Sequence, residues 1–328
     1  MYAGLLERLA DDAEAGGPTA TVIEGHEDDP GPSALGLRLL GSVHRLVLER
    51  RAGALAAYYP SVGGRWDPES GAAAVLDLLA SDPETVREWL DRPPQTNEVG
   101  RAAALVGGLL HLAPDERLPL RLVEIGASAG LNLLADRFRL LDDRGAETGD
   151  PQSLVTLEPA WRGPAPEPWP DLRFTEALGC DLAPIDATTT EGRLALTAYV
   201  WPDQRHRHER LRGALALAQQ HPPVVRRQGA ADLLDDLELA DGTTTVVWHS
   251  VMWQYLPEAE QRRVTARLEH LADSATSGAR LAHLFLEPTR REDHRHHEFL
   301  VVLTSWPGGE RRVLGHAAAH GLPVTWSG

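Results

Sequence analysis

Apolar residues recur every three or four positions through roughly the first 115 residues, which is the spacing of one face of an α-helix. The predicted helices cover residues 35–55, 72–79, 83–90 and 97–112. Asp82 precedes Pro83, so it is the expected N-cap of a helix that has proline at its first position. No part of this region alternates between apolar and polar residues as a half-buried strand does. The pattern therefore predicts an all-helical N-terminal region.

The pattern changes at Pro119, after which short apolar runs alternate with helical stretches. This alternation is typical of βαβ units and a parallel sheet. Helices are predicted over residues 208–220 and 257–274, and strands over residues 120–125, 177–180, 223–227, 244–249, 280–286, 299–305 and 322–326. Residues 141–172, rich in Pro, Asp, Gly and Trp, are predicted to be an insertion that leaves the sheet and returns.

The last two predicted strands flank Pro307-Gly308-Gly309, and we expect them to form an antiparallel hairpin at the edge of the sheet. The predicted fold class is α/β, with a Rossmann-like, mostly parallel sheet of seven strands after the all-helical region. We expect residues 1–115 to form a helical cap or lid and residues 116–328 to form a ligand-binding domain.

Composition restricts the class of partner. The 328 residues include 32 Lys and Arg against 48 Asp and Glu, which gives a formal net charge of −16. An acidic surface repels phosphate groups, which disfavours nucleic acid and anionic membranes as partners. Cys180 is the single cysteine, so an internal disulfide or a Cys-based zinc cluster is excluded. Neither a signal peptide nor a run of about 20 apolar residues is visible. We therefore expect a cytoplasmic location.

A glycine-bearing turn links the first predicted strand to the following predicted helix, at Glu124-Ile125-Gly126-Ala127-Ser128-Ala129-Gly130. Glycine permits a tight reversal and a close approach of backbone to ligand, and a helix that starts near Ala129 offers free N–H groups. The spacing differs from the G-x-G-x-x-G of dinucleotide sites. It resembles motif I of class I S-adenosylmethionine-dependent methyltransferases. The resemblance implies that Glu124 supports the methionine part of S-adenosylmethionine, and that the other cofactor contacts include Gly126, Ala127, Ser128, Gly130 and Asn132.

Acidic residues follow the next two predicted strands. Asp181 ends the second strand, where a carboxylate can accept hydrogen bonds from both ribose hydroxyls of a bound nucleoside. It lies 51 residues beyond Gly130, whereas about 20 is usual, so Glu158 is the alternative ribose-binding acid. A structural alternative is that Asp181 caps the turn before Pro184. By the same resemblance, Asp232 is the expected contact of the adenine amino group.

His249 and Ser250 end the fourth predicted strand, at the edge where open α/β sheets bind ligands. Histidine has an unperturbed pKa near neutrality, so His249 is a candidate general base for a substrate hydroxyl or amine. The alternative is a structural histidine that donates to a loop carbonyl. No G-x-S-x-G elbow surrounds Ser250, which argues against a hydrolase. We expect His249 and Ser250 to contact the cofactor and Trp253 to contact the substrate.

Polar residues also precede the first strand, at Gln95-Thr96-Asn97-Glu98-Val99-Gly100-Arg101. Thr96 or Asn97 suits the N-cap of the following helix, with Glu98 in its first turn. Functionally, Arg101 suits the carboxylate of S-adenosylmethionine, because a guanidinium pairs with it bidentately. The expected substrate-side residues are Tyr59, Asn97, Glu98, Trp201 and Trp253. The histidines of residues 293–298 are interspersed with arginine, so no metal site is predicted.

Taken together, these motifs resemble the bacterial family called domain of unknown function 2332. Its hallmarks correspond to residues 95–101, 123–133, 181–186, 200–204 and His249-Ser250, with Ala183 where the family usually has Asn. The resemblance implies an S-adenosylmethionine-binding fold over nearly the whole chain. Two hypotheses follow: a methyltransferase acting on a small molecule, or a non-catalytic protein that uses the same fold for binding or as a scaffold. The sequence leaves the methyl acceptor and the oligomeric state open.

Overall fold

The computed structural model of the protein describes residues 1–29, 34–92, 94, 96–114, 117–164, 166–290 and 297–327. The α-helices within these ranges are α1 (Tyr2–Glu14), α2 (Pro18–Ile23), α3 (Leu35–Leu48), α4 (Pro68–Ser81), α5 (Pro83–Arg87), α6 (Ala102–Leu110), α7 (Thr190–Ala198), α8 (Arg205–Gln220), α9 (Ala230–Asp235) and α10 (Glu258–Ser274). The predicted helical character of the N-terminal region is confirmed. In the described chain, none of the helices has the length and hydropathy that a membrane span requires.

Two compact units divide the chain. The first comprises residues 1–96 and 189–209, and the second comprises residues 97–188 and 210–328. The helix α8 is shared between them, with its residues up to 209 in the first unit. This division groups residues 97–110 with the second unit, whereas the sequence pattern placed a boundary near residue 115.

The first unit is a helical assembly whose core comes from the apolar faces of α1, α3 and α4. Its helices begin at predictable signals: α4 starts with Pro68, and the side chain of the N-cap Asp67 accepts a hydrogen bond from the backbone N–H of Ser70. Asp82 is the N-cap of α5, as expected, without a side-chain cap. The predicted helix over 35–55 ends earlier than expected, at Leu48, and a short 3-10 helix, Gly53–Tyr58, follows.

His44 is a polar group in the core of this unit, with 0% of its surface exposed. Its Nδ1 lies 3.0 Å from the carbonyl oxygen of Ala198, and its Nε2 lies 2.8 Å from Oγ of Ser61. Burial, followed by smaller effects that include His208, lowers the pKa of His44 to about 3, so the ring is neutral near pH 7. His44 thus links α3 to the end of α7 through hydrogen bonds of a neutral imidazole.

The second unit is built on one mixed sheet. Its strands are β1 (Leu120–Ile125), β2 (Arg139–Asp142), β3 (Glu147–Gly149), β4 (Thr156–Arg162), β5 (Phe174–Asp181), β6 (Val225–Arg227), β7 (Thr243–Ser250), β8 (Ala279–Arg290), β9 (His297–Trp306), β10 (Glu310–Ala317) and β11 (Val324–Trp326). Within the described residues the order is β3-β2-β4-β11-β10-β9-β8-β7-β1-β5-β6. The mostly parallel character is confirmed, because β6, β5, β1, β7 and β8 pair in parallel.

The predicted number of seven strands is wrong, because the described sheet has 11. Residues 141–172 do not leave the sheet: β2, β3 and β4 extend it at one end. In β4, Leu157, Ala160 and Trp161 are buried, and Trp161 donates from Nε1 to the carbonyl oxygen of Ala103. Pro159 interrupts the alternation of apolar residues that would have identified this strand from sequence.

The predicted hairpin is also only partly right. Pro307-Gly308-Gly309 does connect two antiparallel strands, but the partner of β9 is β10, and the predicted strand 322–326 corresponds to the shorter β11, Val324–Trp326, beyond it. The β9–β10 hairpin is also not at the edge of the sheet. The sheet continues beyond β10 through β11, which pairs in parallel with β4. The strand β10 contains Arg311, Arg312 and His316 among few apolar residues, so its composition concealed it.

The pH dependence of the first unit tests the neutral state of His44. In the unfolded chain this histidine takes up a proton below its ordinary pKa of 6.5, whereas the folded state resists protonation until about pH 3. Stability is therefore lost as pH falls between these values, by up to about 1.4 kcal/mol per pH unit. We expect His44→Gln to flatten this dependence in thermal melts at pH 7.5 and 4.5. His206→Gln is the matched control, because His206 is exposed. Equal pH slopes in wild type and His44→Gln would contradict the assignment.

Candidate functional site

The candidate site lies in the second unit, at the carboxyl ends of β5, β1 and β7. After β1 the chain first forms β2, β3 and β4, then β5 and β6 on one side of β1, and then β7 and β8 on its other side. The strand order therefore reverses between β1 and β7, and the loops that follow two such strands are where open α/β sheets bind ligands. Sequence analysis placed its main candidates on these loops, and the structure locates them there.

The turn after β1 has an unusual backbone. Gly126 and Gly130 both have φ of +71°, and Ser128 has φ of +53°, although it is not glycine. A non-glycine residue in this left-handed region is uncommon and is often found at functional sites. The predicted α-helix does not follow, because residues Leu131–Arg137 form a 3-10 helix. The N–H of Leu131 is already bonded to Oδ1 of Asn97, at 2.7 Å.

The turn after β7 has a similar strain. Val251 has φ of +51°, which is costly for a β-branched residue. The next residue, Met252, reaches over the first turn: a Cβ added to Gly126 would lie 3.0 Å from the side chain of Met252. Glycine at 126 thus makes room for a protein side chain in this structure. Ser128 and Val251, the two non-glycine residues of the site with left-handed backbone conformations, lie on the loops that follow β1 and β7.

Glu124 is the buried acid of the site, with 2% of its surface exposed. Burial raises the pKa of Glu124 to about 8, against the lowering effect of Asn132, Trp248 and Arg101 nearby. Three buried polar atoms here have no hydrogen-bond partner among the described residues: Oε2 of Glu124, Oδ1 of Asn132 and the donor Nε1 of Trp248. Glu124 pairs with Trp248 on the neighbouring strand, so both side chains lie on one face of the sheet.

Asp181 contacts the turn directly. Its Oδ2 accepts from the backbone N–H of Ser128 at 2.9 Å, and its Oδ1 accepts from the N–H of Ala183 at 2.9 Å. The carboxylate therefore connects the loops after β1 and β5 and also caps its own turn. The alternative acid, Glu158, lies on β4, six strand positions from β1. Asp181 instead ends β5, the strand next to β1, so it is the better placed of the two acids for a ligand at the turn after β1.

Asp232 lies in the first turn of α9 and is half exposed. Its Oδ1 is 2.6 Å from the guanidinium of Arg263, which also pairs with Asp235 and Glu260. Glu260 in turn accepts from the N–H of Ala231 at 2.9 Å and so caps α9. The predicted adenine contact is thus engaged in an ion-pair network in this structure, and its role toward a ligand stays a prediction.

Residues 97–101 connect several segments of the second unit beside the site. Gln95, from the same predicted motif, lies outside the described residues. Glu98, rather than Thr96 or Asn97, is the cap: it accepts from the N–H of Gly100 at 3.1 Å. Its carboxylate also lies 3.7 Å from Arg210 and 3.8 Å from His320. Arg101 donates to the carbonyl oxygens of Ala319 and Ser250, at 3.0 and 3.2 Å. Arg101 therefore reaches the end of β7.

His249 is not open to a substrate. It is 2% exposed and lies on the face opposite Glu124, because successive residues of a strand alternate. Its ring stacks between Trp253 and Phe285, with centroids 5.3 and 5.2 Å away. Its Nδ1 lies 2.8 Å from Oε1 of Glu287, and its Nε2 lies 3.0 Å from Nε2 of His283. The structural role expected as the alternative is therefore supported, with a carboxylate in place of a loop carbonyl.

Two predicted substrate-side residues belong to the first unit. Tyr59 is fully buried in its core, with ring centroids 5.5 Å from His44 and 6.4 Å from Trp66. Trp201 packs against Tyr2 at 5.5 Å. Both side chains contribute to the packing of that unit, so nothing in its structure brings them to a ligand.

Sequence reasoning missed Glu287 and His283 on β8, and Trp248 on β7. Glu287 directly follows the apolar run Leu284-Phe285-Leu286, just as Glu124 stands near the end of its own strand. An acid at the end of a predicted parallel strand was thus the available signal. Among the described residues no group of three or more His, Cys, Asp or Glu could hold a metal ion. Residues 293–296 of the His-rich stretch lie outside the described residues.

A family model described as "uncharacterized protein conserved in bacteria (DUF2332)" matches residues 1–326. The chain belongs to this family. The match confirms the family predicted from the sequence motifs, and it includes both structural units. A search of curated proteins finds none that matches.

The raised pKa of Glu124 predicts a specific stability change. A carboxyl group that stays neutral to about pH 8 when folded, but ionises near 4.5 when unfolded, stabilises the fold at low pH and loses that contribution as pH rises toward 8. Glu124→Gln, which is always neutral, should therefore gain stability relative to wild type between pH 5 and pH 8 in thermal melts. Glu269→Gln, on an exposed position of α10, is the control. A difference that is the same at both pH values would show that Glu124 is ionised in the folded protein.

Proposed function

We propose that this protein is an S-adenosylmethionine-dependent methyltransferase that acts on a small molecule. The observation that carries the proposal is the buried pair of unpartnered acceptors, Oε2 of Glu124 and Oδ1 of Asn132, beside the strained turn at Gly126–Gly130. The strand order supports it as well. The five parallel strands occur in the chain as β1, β5, β6, β7 and β8. If they are renumbered 1 to 5 in that sequence, their order in the sheet is 3-2-1-4-5, the order of a Rossmann-like sheet. The antiparallel neighbour β9 departs from the dinucleotide-binding pattern.

The methionine end of the cofactor fits the residues present. An ammonium group is a donor only, and it would satisfy the two unpartnered acceptors of Glu124 and Asn132. A cation there would also favour the ionised form of Glu124, which burial now disfavours. Arg101 is near enough to influence the same carboxyl group, and its guanidinium suits the cofactor carboxylate.

The adenosine end fits in part. Each oxygen of Asp181 accepts one backbone N–H, so each retains acceptor capacity for a ribose hydroxyl. Asp232 would have to give up part of its pairing with Arg263, which is exposed and therefore weakly held. The cofactor would supply an electrophilic methyl group when bound. The residues of this chain would bind and orient it, because methyl transfer depends mainly on alignment.

A second function, a non-catalytic binding or scaffold protein of the same fold, is favoured by specific contacts. Met252 packs over Gly126, so a ligand that approaches this glycine must displace it. Both ring nitrogens of His249 have protein partners, so His249 does not offer a general base to a substrate. This alternative predicts ligand binding without turnover.

Isothermal titration with S-adenosylhomocysteine tests the proposal. We expect binding by wild type and a loss of about tenfold or more in Glu124→Ala, because removal of a charged partner costs at least ~1.4 kcal/mol. Glu176→Ala is the matched control: it lies on β5 of the same sheet and pairs with Arg121 at its surface. Absence of binding by wild type would overturn the proposal. Binding of S-adenosylhomocysteine, together with no methyl transfer from S-adenosylmethionine to a panel of phenols, amines and carboxylates, would favour the second function.

A further inference from the structure

Glu287 occupies an unusual position at the same edge of the sheet. Ser250, the last residue of β7, pairs with Leu286, so Glu287 extends one residue beyond that strand. Only 4% of its surface is exposed. A buried carboxylate is unfavourable unless hydrogen bonds compensate it. The contacts of Glu287 therefore indicate what holds it there.

One oxygen of Glu287 holds three N–H groups. Its Oε1 accepts from Nδ1 of His249 at 2.8 Å, from the backbone N–H of Met252 at 3.0 Å and from that of Trp253 at 3.3 Å. An ionised carboxylate only accepts, so the hydrogen of His249 resides on Nδ1. The Nε2 of His249 then shares a single hydrogen with Nε2 of His283, 3.0 Å away.

The same oxygen stabilises a strained turn. Val251 has φ of +51° and is bonded through its N–H to the carbonyl oxygen of Leu286 at 2.9 Å. Such a conformation persists only when surrounding contacts determine it. Glu287 bonds the next two backbone N–H groups, and the first of these belongs to Met252, whose side chain lies against Gly126. A single carboxylate thus connects the histidine pair to the turn that covers the candidate cofactor site.

We propose that Glu287 is the positioning residue of this site: it holds the Val251–Trp253 turn over Gly126 and fixes the tautomer of His249. This inference rests on the proposed function for the ligand at Gly126, but its effects on the turn and the histidines do not need the ligand. Burial, followed by the neighbouring His249 and Arg311, holds the pKa of His283 well below its ordinary value, so the ring of His283 is neutral near pH 7.

Two substitutions separate geometry from charge. Glu287→Gln keeps an oxygen that accepts the three N–H groups but removes the charge, whereas Glu287→Ala removes both. Asp136→Asn and Asp136→Ala are matched controls, because Asp136 is also a buried acid that accepts from a backbone N–H, that of Phe174 at the start of β5. Three measurements apply: affinity for S-adenosylhomocysteine, the Trp253 emission in the ligand-free protein, taken as the difference from Trp253→Phe, and the tautomer of His249 by nitrogen-15 NMR.

We expect Glu287→Ala to lose roughly tenfold or more in affinity and to change the Trp253 emission, since the loss of bonds to a charged group releases the turn. Glu287→Gln should retain both within about threefold and keep the hydrogen of His249 on Nδ1, because its amide oxygen still accepts, whereas Glu287→Ala should no longer hold that hydrogen on Nδ1. A purely structural role would leave the tautomer of His249 unchanged in both variants.

The outcomes distinguish the two proposals. If wild type does not bind S-adenosylhomocysteine, the proposed function fails, and the role of Glu287 is decided by fluorescence and NMR alone. Unchanged emission or an unchanged His249 tautomer in Glu287→Ala overturns the role of Glu287 even if the ligand binds. If Glu287→Ala does not fold, Glu287→Gln decides the question, because loss of the hydrogen from Nδ1 of His249 in that variant overturns the role.

Discussion

Two neighbouring parallel strands must be joined by a long crossover, because the chain has to travel back to the end of the sheet at which both strands begin. In this protein, parallel pairing of β1 with both β5 and β7 brings three loops to one edge of the sheet. The loops then have to satisfy backbone groups that the strands no longer pair. Asp181 bonds the N–H of Ser128, and Arg101 donates to the carbonyl of Ser250. Most of the chemistry of this edge follows from that requirement.

Two buried carboxyl groups on opposite faces of the sheet illustrate different ways of tolerating burial. Burial raises the pKa of Glu124 more than Asn132, Trp248 and Arg101 lower it, which favours the neutral acid. Glu287 instead accepts three N–H groups at its Oε1. The Oε2 atoms of both residues are buried without a hydrogen-bond partner among the described residues. The difference is that Oε1 of Glu287 also fixes the local structure of the turn after β7.

Local sequence patterns identified the elements that form a continuous apolar run. β1 was predicted at its observed bounds, and β7 and β8 were recognised because they are buried on both faces. β4 and β10 were missed because Pro159 and a series of charged residues broke the pattern, although their pairing within the sheet makes them strands. At the site, the acids near the ends of β1 and β8 could be recognised from sequence, whereas the contact of Glu287 and His283 with His249 could not. Glu287 and His283 meet that ring only through the register of β7 with β8, which no local pattern reports.

The discontinuity of the first unit has a consequence for synthesis of the chain. The first unit combines residues 1–96 with residues 189–209. The contact of His44 with the carbonyl oxygen of Ala198 therefore forms only after residue 198 has been made. At about 5–20 residues per second, the ribosome needs roughly 5–20 s to add the segment between the two parts of this unit. For that interval the nascent helices α1–α5 lack the element that completes their packing. The apolar faces that residues 189–209 cover in the folded protein therefore stay exposed until residues 97–188 of the second unit have been made.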